Sequence, residues 1–584
     1  MKHLSKTIRI KVFFLLSVLL LCTQCIGEKE SAATDYIYQT PSVSADICSV
    51  NVENLSPEER LAVLSLQGIV NRERAEIYTF VKQDAWLKEF YRNRGIISND
   101  SLYTDFYSLL ARFSNKIQGI LICDFEQSHT INLATNLAGV ENRIIISPTM
   151  LEHVQQVTGL TDVVDLRTLK LTNEKEAFLW YRTHVFPRQN HKMLSVAKGG
   201  NFMYDVFRDY LVEFKVPVFW LPGKNDLDYD AEYDELVREW LAELPVNIPV
   251  LGFWAGTENG KDIGYAEFDG VKLAGLYGKF TLVNTWVGNY SYHSGIPSAQ
   301  KSFYQKAPRE KQYHTYDPNK KYVALIMNES GDAPCYFLYT GFYPRQWLDP
   351  ERGKVAISYG ITPSLRFLAP GVLADLYDTQ TENDFFFCSI SGAGYCYPFE
   401  GYGSGTASPA ACLQEYFGTM TAANMRKLDL DMLGLYTHTQ SMWTLDDYKI
   451  AKEFIFPMQG LKSVISGMHR TEYTAADAHE LADSTSVHHT VTFWSTANFQ
   501  WNDESLDEEA VDFLENEIKT YGKDGQFIQA MFYSWHYGPR RLNMLRQRLE
   551  RDGYVFVTLN EFDYLWRYSN SGSPCNSKSY SHIP

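Results

Sequence analysis

Acidic side chains follow two of the apolar, strand-like runs in the second half of the sequence. Glu329 and Asp332 come directly after the run that starts near Tyr322, and Glu561 comes after the run that starts near Tyr554. Glycoside hydrolysis uses two carboxyl groups, one that gives a proton to the leaving oxygen and one that stays ionised as nucleophile or base. We therefore interpret Asp332 and Glu561 as a candidate acid pair, with Glu329 as the substitute.

Other polar and aromatic side chains at the ends of such runs could bind a sugar, because aromatic rings cover its apolar faces while polar groups meet its hydroxyls. The candidates are Tyr395, Tyr397, Glu400, His438, His469, Trp494, Trp535 and His536. In the first half of the chain, Trp254, Glu258 and Trp286 are weaker candidates. Structural roles stay open for all of them, since Asp332 could cap a helix and Trp535 could belong to the core.

The elements that must position these residues form a regular series. Eight apolar, β-rich runs start near residues 322, 354, 384, 430, 461, 488, 527 and 554, and helix patterns lie between them. Eight βα units over about 245 residues predict a (β/α)8-like barrel of the TIM type, with active-site residues at the carboxyl ends of its strands. A seven-stranded, imperfectly closed barrel and an open doubly wound sheet are the alternatives.

The part before the barrel alternates short apolar runs with amphipathic stretches, which is typical of α/β domains. Its first helix should follow Ser56, with Pro57 in the first position and Glu59 completing a capping box. We divide the chain into an export signal (1–25), a tether (26–45), an N-terminal α/β region of two subdomains (46–195), a further α/β domain (196–315), the barrel (316–570) and a tail (571–584).

The amino terminus indicates export. Basic residues precede the apolar stretch 12–21, which is too short to span a bilayer and is typical of a signal peptide. Cys22 and Cys25 follow at once, and we favour lipidation of Cys25 because the polar run 27–30 comes directly after it. The prediction is a membrane-anchored lipoprotein of the cell envelope, with plain secretion after signal cleavage as the alternative.

Composition excludes several classes of partner and chemistry. The formal charge of −16 disfavours binding to nucleic acids, whose phosphates require clustered cations. The sequence holds no P-loop, no dinucleotide-binding glycine pattern and no nucleophile elbow. We predict a carbohydrate substrate, no cofactor and no metal site, and contact with the membrane through the lipid anchor alone.

A glycine- and tyrosine-rich segment follows the third run of the barrel. Gly392, Gly394, Tyr395, Tyr397 and Pro398 match all fixed positions of the signature of the GxGYxYP family of glycoside hydrolases, and the chain resembles that family along its whole length. The resemblance implies several small α/β domains before a barrel-like domain, export, often as a lipoprotein of Bacteroidetes, and sugar hydrolysis.

One segment departs from the family pattern. After its first barrel strand the family often carries an Asp-Gly-Asp-Asn-like run, whereas this chain has Asn-Glu-Ser-Gly-Asp at residues 328–332. The resemblance therefore implies a role for Asp332 more directly than one for Glu329.

Two rival functions remain open. A metal-dependent polysaccharide deacetylase could use Asp332, His438 and His469 as ligands, although the sequence has no His-x-x-x-His pair. A non-catalytic glycan-binding lipoprotein would need the aromatic residues but no matched acid pair. The separation of two inward carboxyl groups would distinguish a hydrolase from a binding protein.

Overall fold

A computed structural model describes residues 35–297, 303–307, 312–328, 330–339, 341–436, 443–466, 486–487, 491–495 and 499–571. Within these ranges no helix is both long and apolar enough to cross a membrane.

The strands follow one another in four groups that correspond to four sheet-containing parts of the chain. They are β1 (Val43–Asn51), β2 (Ala75–Phe80) and β3 (Asn99–Tyr103); β4 (Gly119–Ile122), β5 (Arg143–Ile146) and β6 (Val163–Asp165); β7 (Leu194–Val196), β8 (Val218–Phe219), β9 (Ile248–Gly252), β10 (Ala255–Glu258), β11 (Lys261–Gly264) and β12 (Lys279–Leu282); and β13 (Lys321–Met327), β14 (Ile357–Ile361), β15 (Asp384–Cys388), β16 (Met432–Leu435), β17 (Ser463–Ser466), β18 (Ser486–Val487), β19 (Val491–Trp494), β20 (Phe527–Met531) and β21 (Tyr554–Phe556).

The α-helices lie mostly between the strands, as crossover connections of parallel sheets require. They are α1 (Pro57–Asn71), α2 (Ala85–Asn93), α3 (Phe106–Phe113), α4 (Ser128–Glu141), α5 (Leu151–Thr158), α6 (Glu174–His184), α7 (Phe202–Asp205), α8 (Arg208–Glu213), α9 (Ala231–Glu243), α10 (Glu267–Leu276), α11 (Tyr290–His293), α12 (Pro334–Leu338), α13 (Leu365–Leu368), α14 (Pro370–Thr379), α15 (Pro409–Leu413), α16 (Ala422–Lys427), α17 (Leu445–Ile450), α18 (Asp507–Tyr521), α19 (Pro539–Leu549) and α20 (Leu559–Ser571).

Three small parallel sheets form the first half of the chain. The first unit has the strand order β2-β1-β3, the second unit β5-β4-β6, and the third unit β12-β9-β7-β8 with the antiparallel hairpin β10–β11 beside it. Strand β12 is an edge of the third sheet, a position that becomes important at the site below. The expected start of α1 is confirmed, because Ser56 and Glu59 form the reciprocal capping box.

The C-terminal unit is a parallel sheet that curls as a half-barrel. Its strands follow the order β18-β17-β16-β15-β14-β13-β20-β19, so that neighbours in the sheet are mostly neighbours in the chain. Each of the eight predicted runs contains a strand. A closed (β/α)8 barrel is not confirmed, since no hydrogen-bonded pair joins β18 to β19 among the described residues.

The eighth predicted strand lies in an unexpected place. Residues 554–556 of β21 pair with residues 321–323, the first three residues of β13. Strand β21 therefore ends beside residue 323, whereas β13 continues to residue 327. Helix α20 therefore lies against the amino ends of the strands: Ser463, the first residue of β17, donates a hydrogen bond to Asp563 of α20 at 2.5 Å. This end of the sheet is opposite to the one where active sites of such folds lie.

Candidate active site

A cleft of about 460 Å³ lies between the third unit and the carboxyl end of the C-terminal sheet. Its walls are mainly apolar and aromatic, with a small number of polar groups, which is typical of sites for small organic ligands. The third unit contributes Met203, Phe253, Glu267, Phe268, Val283, Thr285 and Trp286, and the C-terminal unit contributes Ser330, Asp332, Ala333, Cys335, Tyr336, Tyr339, Ile390, Tyr395, Tyr436, Tyr533 and Trp535.

The glycine–tyrosine segment joins the two walls of this cleft. Tyr395 N donates to the carbonyl oxygen of Thr281 at 2.9 Å, and Thr281 N donates to the carbonyl oxygen of Tyr395 at 2.8 Å. Since Thr281 belongs to the edge strand β12, the segment adds an antiparallel bridge to the third sheet. The motif is therefore a contact between units as well as a loop at the end of β15.

Both signature glycines are required by local geometry. Gly392 has φ +109°, which side-chain-bearing residues rarely adopt. A Cβ on Gly394 would lie 2.5 Å from Cδ2 of Phe280 and 3.0 Å from the carbonyl oxygen of Thr281. The backbone can approach β12 this closely only without a side chain at position 394.

The two signature tyrosines are buried, with 2% of each residue exposed. Tyr395 Oη donates to Glu267 Oε1 at 3.0 Å, and the hydroxyls of Tyr395 and Tyr397 lie 2.7 Å apart. Burial, together with the nearby Glu267 carboxyl, raises the pKa of Tyr395 well above its usual value. Tyr395 lines the cleft, whereas Tyr397 supports it from behind and is not among the lining residues.

Glu267 is the first residue of α10 and is an acidic cleft residue that the sequence analysis did not single out. Burial raises the pKa of its carboxyl group, and the hydrogen bond from Tyr395 opposes that shift. An acid in the first turn of a helix is common, because the helix dipole favours it. Only the bridge between Tyr395 and β12 distinguishes this acid from the many others in such positions, and that bridge is not visible in the sequence.

Asp332 faces the same cleft from the end of β13, as predicted for the carboxyl end of a strand. It is 6% exposed, and its charge contributes to raising the pKa of Tyr395 and of Tyr397. It is not the N-cap of α12, since Ala333 occupies that position without a side-chain cap.

Glu561 lies elsewhere. It belongs to α20 at the amino ends of the strands, where its Oε1 accepts hydrogen bonds from His314 N at 2.5 Å and from His314 Nδ1 at 2.7 Å. This contact raises the pKa of His314. The structure does not bring Glu561 together with Asp332, because β21 pairs only with the start of β13 and its following helix crosses the other end of the sheet.

The other predicted residues differ in their positions. Trp535 lines the cleft, and its Nε1 donates to Ser330 Oγ at 2.9 Å. His536 is turned away, with its Nδ1 2.6 Å from the carbonyl oxygen of Phe499, and burial lowers its pKa. Glu400 follows the motif but is not among the cleft residues. Its charge contributes to raising the pKa of Tyr397.

Four predicted residues cannot be placed as side chains. Trp494 is the last residue of β19 and pairs with Met531 of β20 through the backbone. Glu329, His438 and His469 lie outside the described residues.

The three candidates of the first half of the chain lie in different environments. Trp254 is a core residue, 1% exposed. Glu258 lies on the hairpin β10–β11 and forms an ion pair with Lys198 at 3.3 Å. Trp286 is 43% exposed and lines the cleft, so one of the three joins the candidate site.

Within the part of the chain that the structure describes, no group of three histidine, cysteine, aspartate or glutamate residues is arranged to hold a metal ion. The polar groups of the cleft are thus two carboxyls, hydroxyls and a thiol. Such a set can transfer protons and hydrogen-bond sugar hydroxyls.

Fold and site together define an α/β protein with a two-walled aromatic cleft that carries one carboxyl group on each wall. The chain belongs to the GxGYxYP family. The model of the "GxGYxYP putative glycoside hydrolase C-terminal domain" matches residues 319–567, and the models of the family's first, second and third domains match residues 47–115, 117–189 and 191–295.

One solved structure shares the fold over most of both chains. A crystal structure of a "putative hydrolase from Bacteroides thetaiotaomicron VPI-5482" is similar at a TM-score of 0.67 with 16% sequence identity, covering 91% of this chain and 96% of that one. A "putative polysaccharide deacetylase from Mycobacterium smegmatis" reaches a TM-score of 0.28 at 10% identity, covering 46% of this chain and 96% of that one. The low TM-score of the latter supports no argument. No curated protein matches the chain.

Proposed function

We propose that the protein is a glycoside hydrolase whose active site is the cleft between the third unit and the C-terminal sheet. The observation that carries this proposal is the pair of carboxyl groups, Glu267 of the third unit and Asp332 of the C-terminal unit, which line one aromatic cavity. The family description and the hydrolase neighbour support the same reaction class. The aromatic lining suits the apolar faces of sugar rings.

Glu267 is our candidate for the general acid. A glycosidase acid must be protonated at the working pH, and burial that raises the pKa of a carboxyl group produces this state. Tyr395 holds the carboxyl through its hydroxyl and so fixes the direction in which the proton is presented. In this role Tyr395 is a positioning residue, since it acts through Glu267.

Asp332 is our candidate for the ionised partner. It would act as nucleophile on the anomeric carbon or as base for the attacking water. Carboxyl separations of about 5–5.5 Å favour retention and separations of about 6.5–9.5 Å favour inversion. Trp286 and Trp535 would hold the sugar and exclude water from the reacting bond.

The test is a glycan screen followed by two substitutions. The purified protein is incubated with plant, host and microbial glycans, and new reducing ends are measured. Glu267→Gln and Asp332→Asn should each lower kcat/KM by about 10²–10⁴-fold on an active substrate. Asp262→Asn, an exposed acid on β11, removes the same charge outside the cleft and should leave the rate unchanged.

The screen also distinguishes the rival functions. Release of acetate without new reducing ends would indicate a polysaccharide deacetylase, and full activity of Asp332→Asn would reject the hydrolytic role of that residue. Binding without any product would favour a glycan-binding protein. We further propose that the protein is exported and anchored through Cys25, so that it meets its substrate at the cell envelope.

A further inference from the structure

A second, smaller pocket of about 190 Å³ lies next to the cleft. It is lined by Arg345, Asp349, Trp501, Glu504, Arg540 and Arg541, among others. Three guanidinium groups in one small pocket are unusual in a chain with a formal charge of −16. The question is which of these charges are already neutralised by the protein.

Two of the three arginines have carboxylate partners. Arg540 pairs with Glu504 at 2.7 Å, and both Arg540 and Arg541 pair with Asp507, at 2.9 and 2.8 Å. These ion pairs fix α19 against the start of α18. The two groups are therefore structural, and carboxylates of the protein already neutralise their charge.

Arg345 is different. Its guanidinium lies between two indoles, 4.9 Å from the ring centroid of Trp501 and 4.8 Å from that of Trp535. Its Nη1 donates to the carbonyl oxygen of Trp535 at 3.4 Å, while its Nε is buried without a hydrogen-bond acceptor. Arg345 is partly buried and forms no ion pair among the described residues, although charges removed from water are normally paired.

Asp349 lines the same pocket but does not neutralise Arg345. Its Oδ1 accepts from the backbone of Glu351 at 2.8 Å, and its Oδ2 accepts from the backbone N of Arg540 at 3.2 Å. The carboxylate thus serves the turn that leads out of the π-helical segment Tyr343–Trp347. The guanidinium of Arg345 remains available to an acceptor from outside the chain.

The pocket and the cleft meet at Trp535. This residue lines the cleft, and Arg345 stacks on its ring from the side of the pocket. Burial lowers the pKa of Arg345, and Tyr336 and Tyr339, which also line the cleft, lie close enough to oppose that shift in part. A glycan in the cleft can therefore extend a substituent around Trp535 toward the guanidinium.

We infer that this pocket is a subsite for an anionic substituent, a carboxylate or a sulfate, on the glycan that occupies the cleft. The inference rests on the proposed function for the glycan and specifies its class as acidic. A guanidinium held over two indole rings presents its planar set of donors with little loss of side-chain entropy, which suits bidentate binding of an oxyanion. Without such a group, the negative charge of the protein would repel an acidic glycan.

The experiment compares matched acidic and neutral oligosaccharides in direct binding. The carboxylate pair is oligogalacturonate and its carboxyl-reduced product; the sulfate pair is a carrageenan oligosaccharide and its desulfated product. Calorimetry is performed on Asp332→Asn protein, so that a failure of the hydrolytic proposal does not affect the result. Arg345→Gln is the test variant, and Arg551→Gln, an exposed arginine on the surface, is the matched control.

We expect the acidic member of one pair to bind about tenfold more tightly, because a charge-assisted hydrogen bond contributes roughly that factor. Arg345→Gln should remove the preference and Arg551→Gln should keep it. Equal binding of both members in both pairs, or a preference that survives in Arg345→Gln, overturns the inference. If Arg345→Gln fails to melt cooperatively, Arg345→Lys decides: a reduced or abolished preference supports the subsite, and an unchanged one rejects it.

Discussion

The hydroxyl of Tyr395 donates a hydrogen bond of 3.0 Å to Glu267 Oε1, and these two residues belong to different units of the fold. Tyr395 follows β15 of the C-terminal sheet, whereas Glu267 begins α10 of the third unit. The signature segment thus connects directly to one of the two acids of the candidate site. A substitution in the signature segment should therefore change the ionisation of Glu267.

Tyr395→Phe should change the pH dependence of hydrolysis. The hydroxyl of Tyr395 lowers the pKa of Glu267, so its removal raises that pKa further. For a general acid, the alkaline limb of the kcat/KM profile then moves to higher pH. The profile of Tyr397→Phe, which keeps the bond to Glu267, is the control. An alkaline limb that stays in place in Tyr395→Phe would contradict the assignment.

Glu267→Gln should discriminate among leaving groups. A substrate whose leaving group needs protonation should lose about 10²–10⁴-fold in rate, while an aryl glycoside with a strongly acidic phenol should lose much less. The measurement is kcat/KM over a series of aryl glycosides of the active sugar. Equal losses along the whole series would show that Glu267 does not protonate the leaving oxygen.

Gly394→Ala should destabilise the contact between the units. The new methyl group would lie 2.5 Å from Phe280 Cδ2, and overpacking of this kind costs about 1–3 kcal/mol. Urea unfolding measures the change. Gly275→Ala is the matched control, because its methyl group would meet Tyr402 at an ordinary 3.6 Å within α10 and should be neutral or slightly stabilising. Similar stability of the two variants would disprove the close approach at position 394.

Asp84→Asn should flatten the dependence of stability on pH. Burial raises the pKa of Asp84 to about 8, so the folded protein holds a proton there that the unfolded chain releases above its normal pKa. The contribution of protonated Asp84 to stability is complete below the pKa that Asp84 has in the unfolded chain, and it is lost as the pH rises toward 8. The amide keeps a side-chain oxygen for the hydrogen bond from Val81 N, at 2.8 Å in the wild type.

Thermal unfolding of both proteins from pH 5 to pH 8 checks this. As the pH rises, the free energy of unfolding of the wild type should fall relative to that of Asp84→Asn, by on the order of a few kcal/mol. Asp262→Asn, at an exposed position, should follow the wild type. A difference between Asp84→Asn and wild type that is constant over this range would exclude a buried, protonated Asp84.

Cys25→Ser should abolish lipid attachment. The basic residues, the apolar stretch 12–21 and the polar run 27–30 predict a lipidated cysteine at position 25. Labelling of cells with radioactive palmitate should mark the wild-type protein and not the variant. Labelling that persists in Cys25→Ser but disappears in Cys22→Ser would move the site to Cys22.

Local patterns explain what the sequence could predict. The capping box of Ser56 and Glu59 and the repeated apolar runs depend on neighbours in the chain, and both are present in the structure. Asp332 lies at the cleft because its strand, β13, pairs on both sides and spans the sheet. Positions that follow a full-length central strand are therefore well predicted.

Relationships between distant parts of the chain were not accessible. The eighth run was expected to behave like the others, but β21 is short and pairs only with residues 321–323, which carries Glu561 to the opposite end of the sheet. Glu267 was missed because its position depends on the bridge between Thr281 and Tyr395. Edge pairing between sheets leaves no periodic signal in either segment.

The bridge at β12 also determines how the reaction could diversify. Under the proposed assignment the two carboxyls belong to different units, so a fragment of residues 319–567 would contain Asp332 without its proton donor, Glu267. Exchange of the third unit between relatives could then alter which sugar is accepted while the half-barrel stays constant.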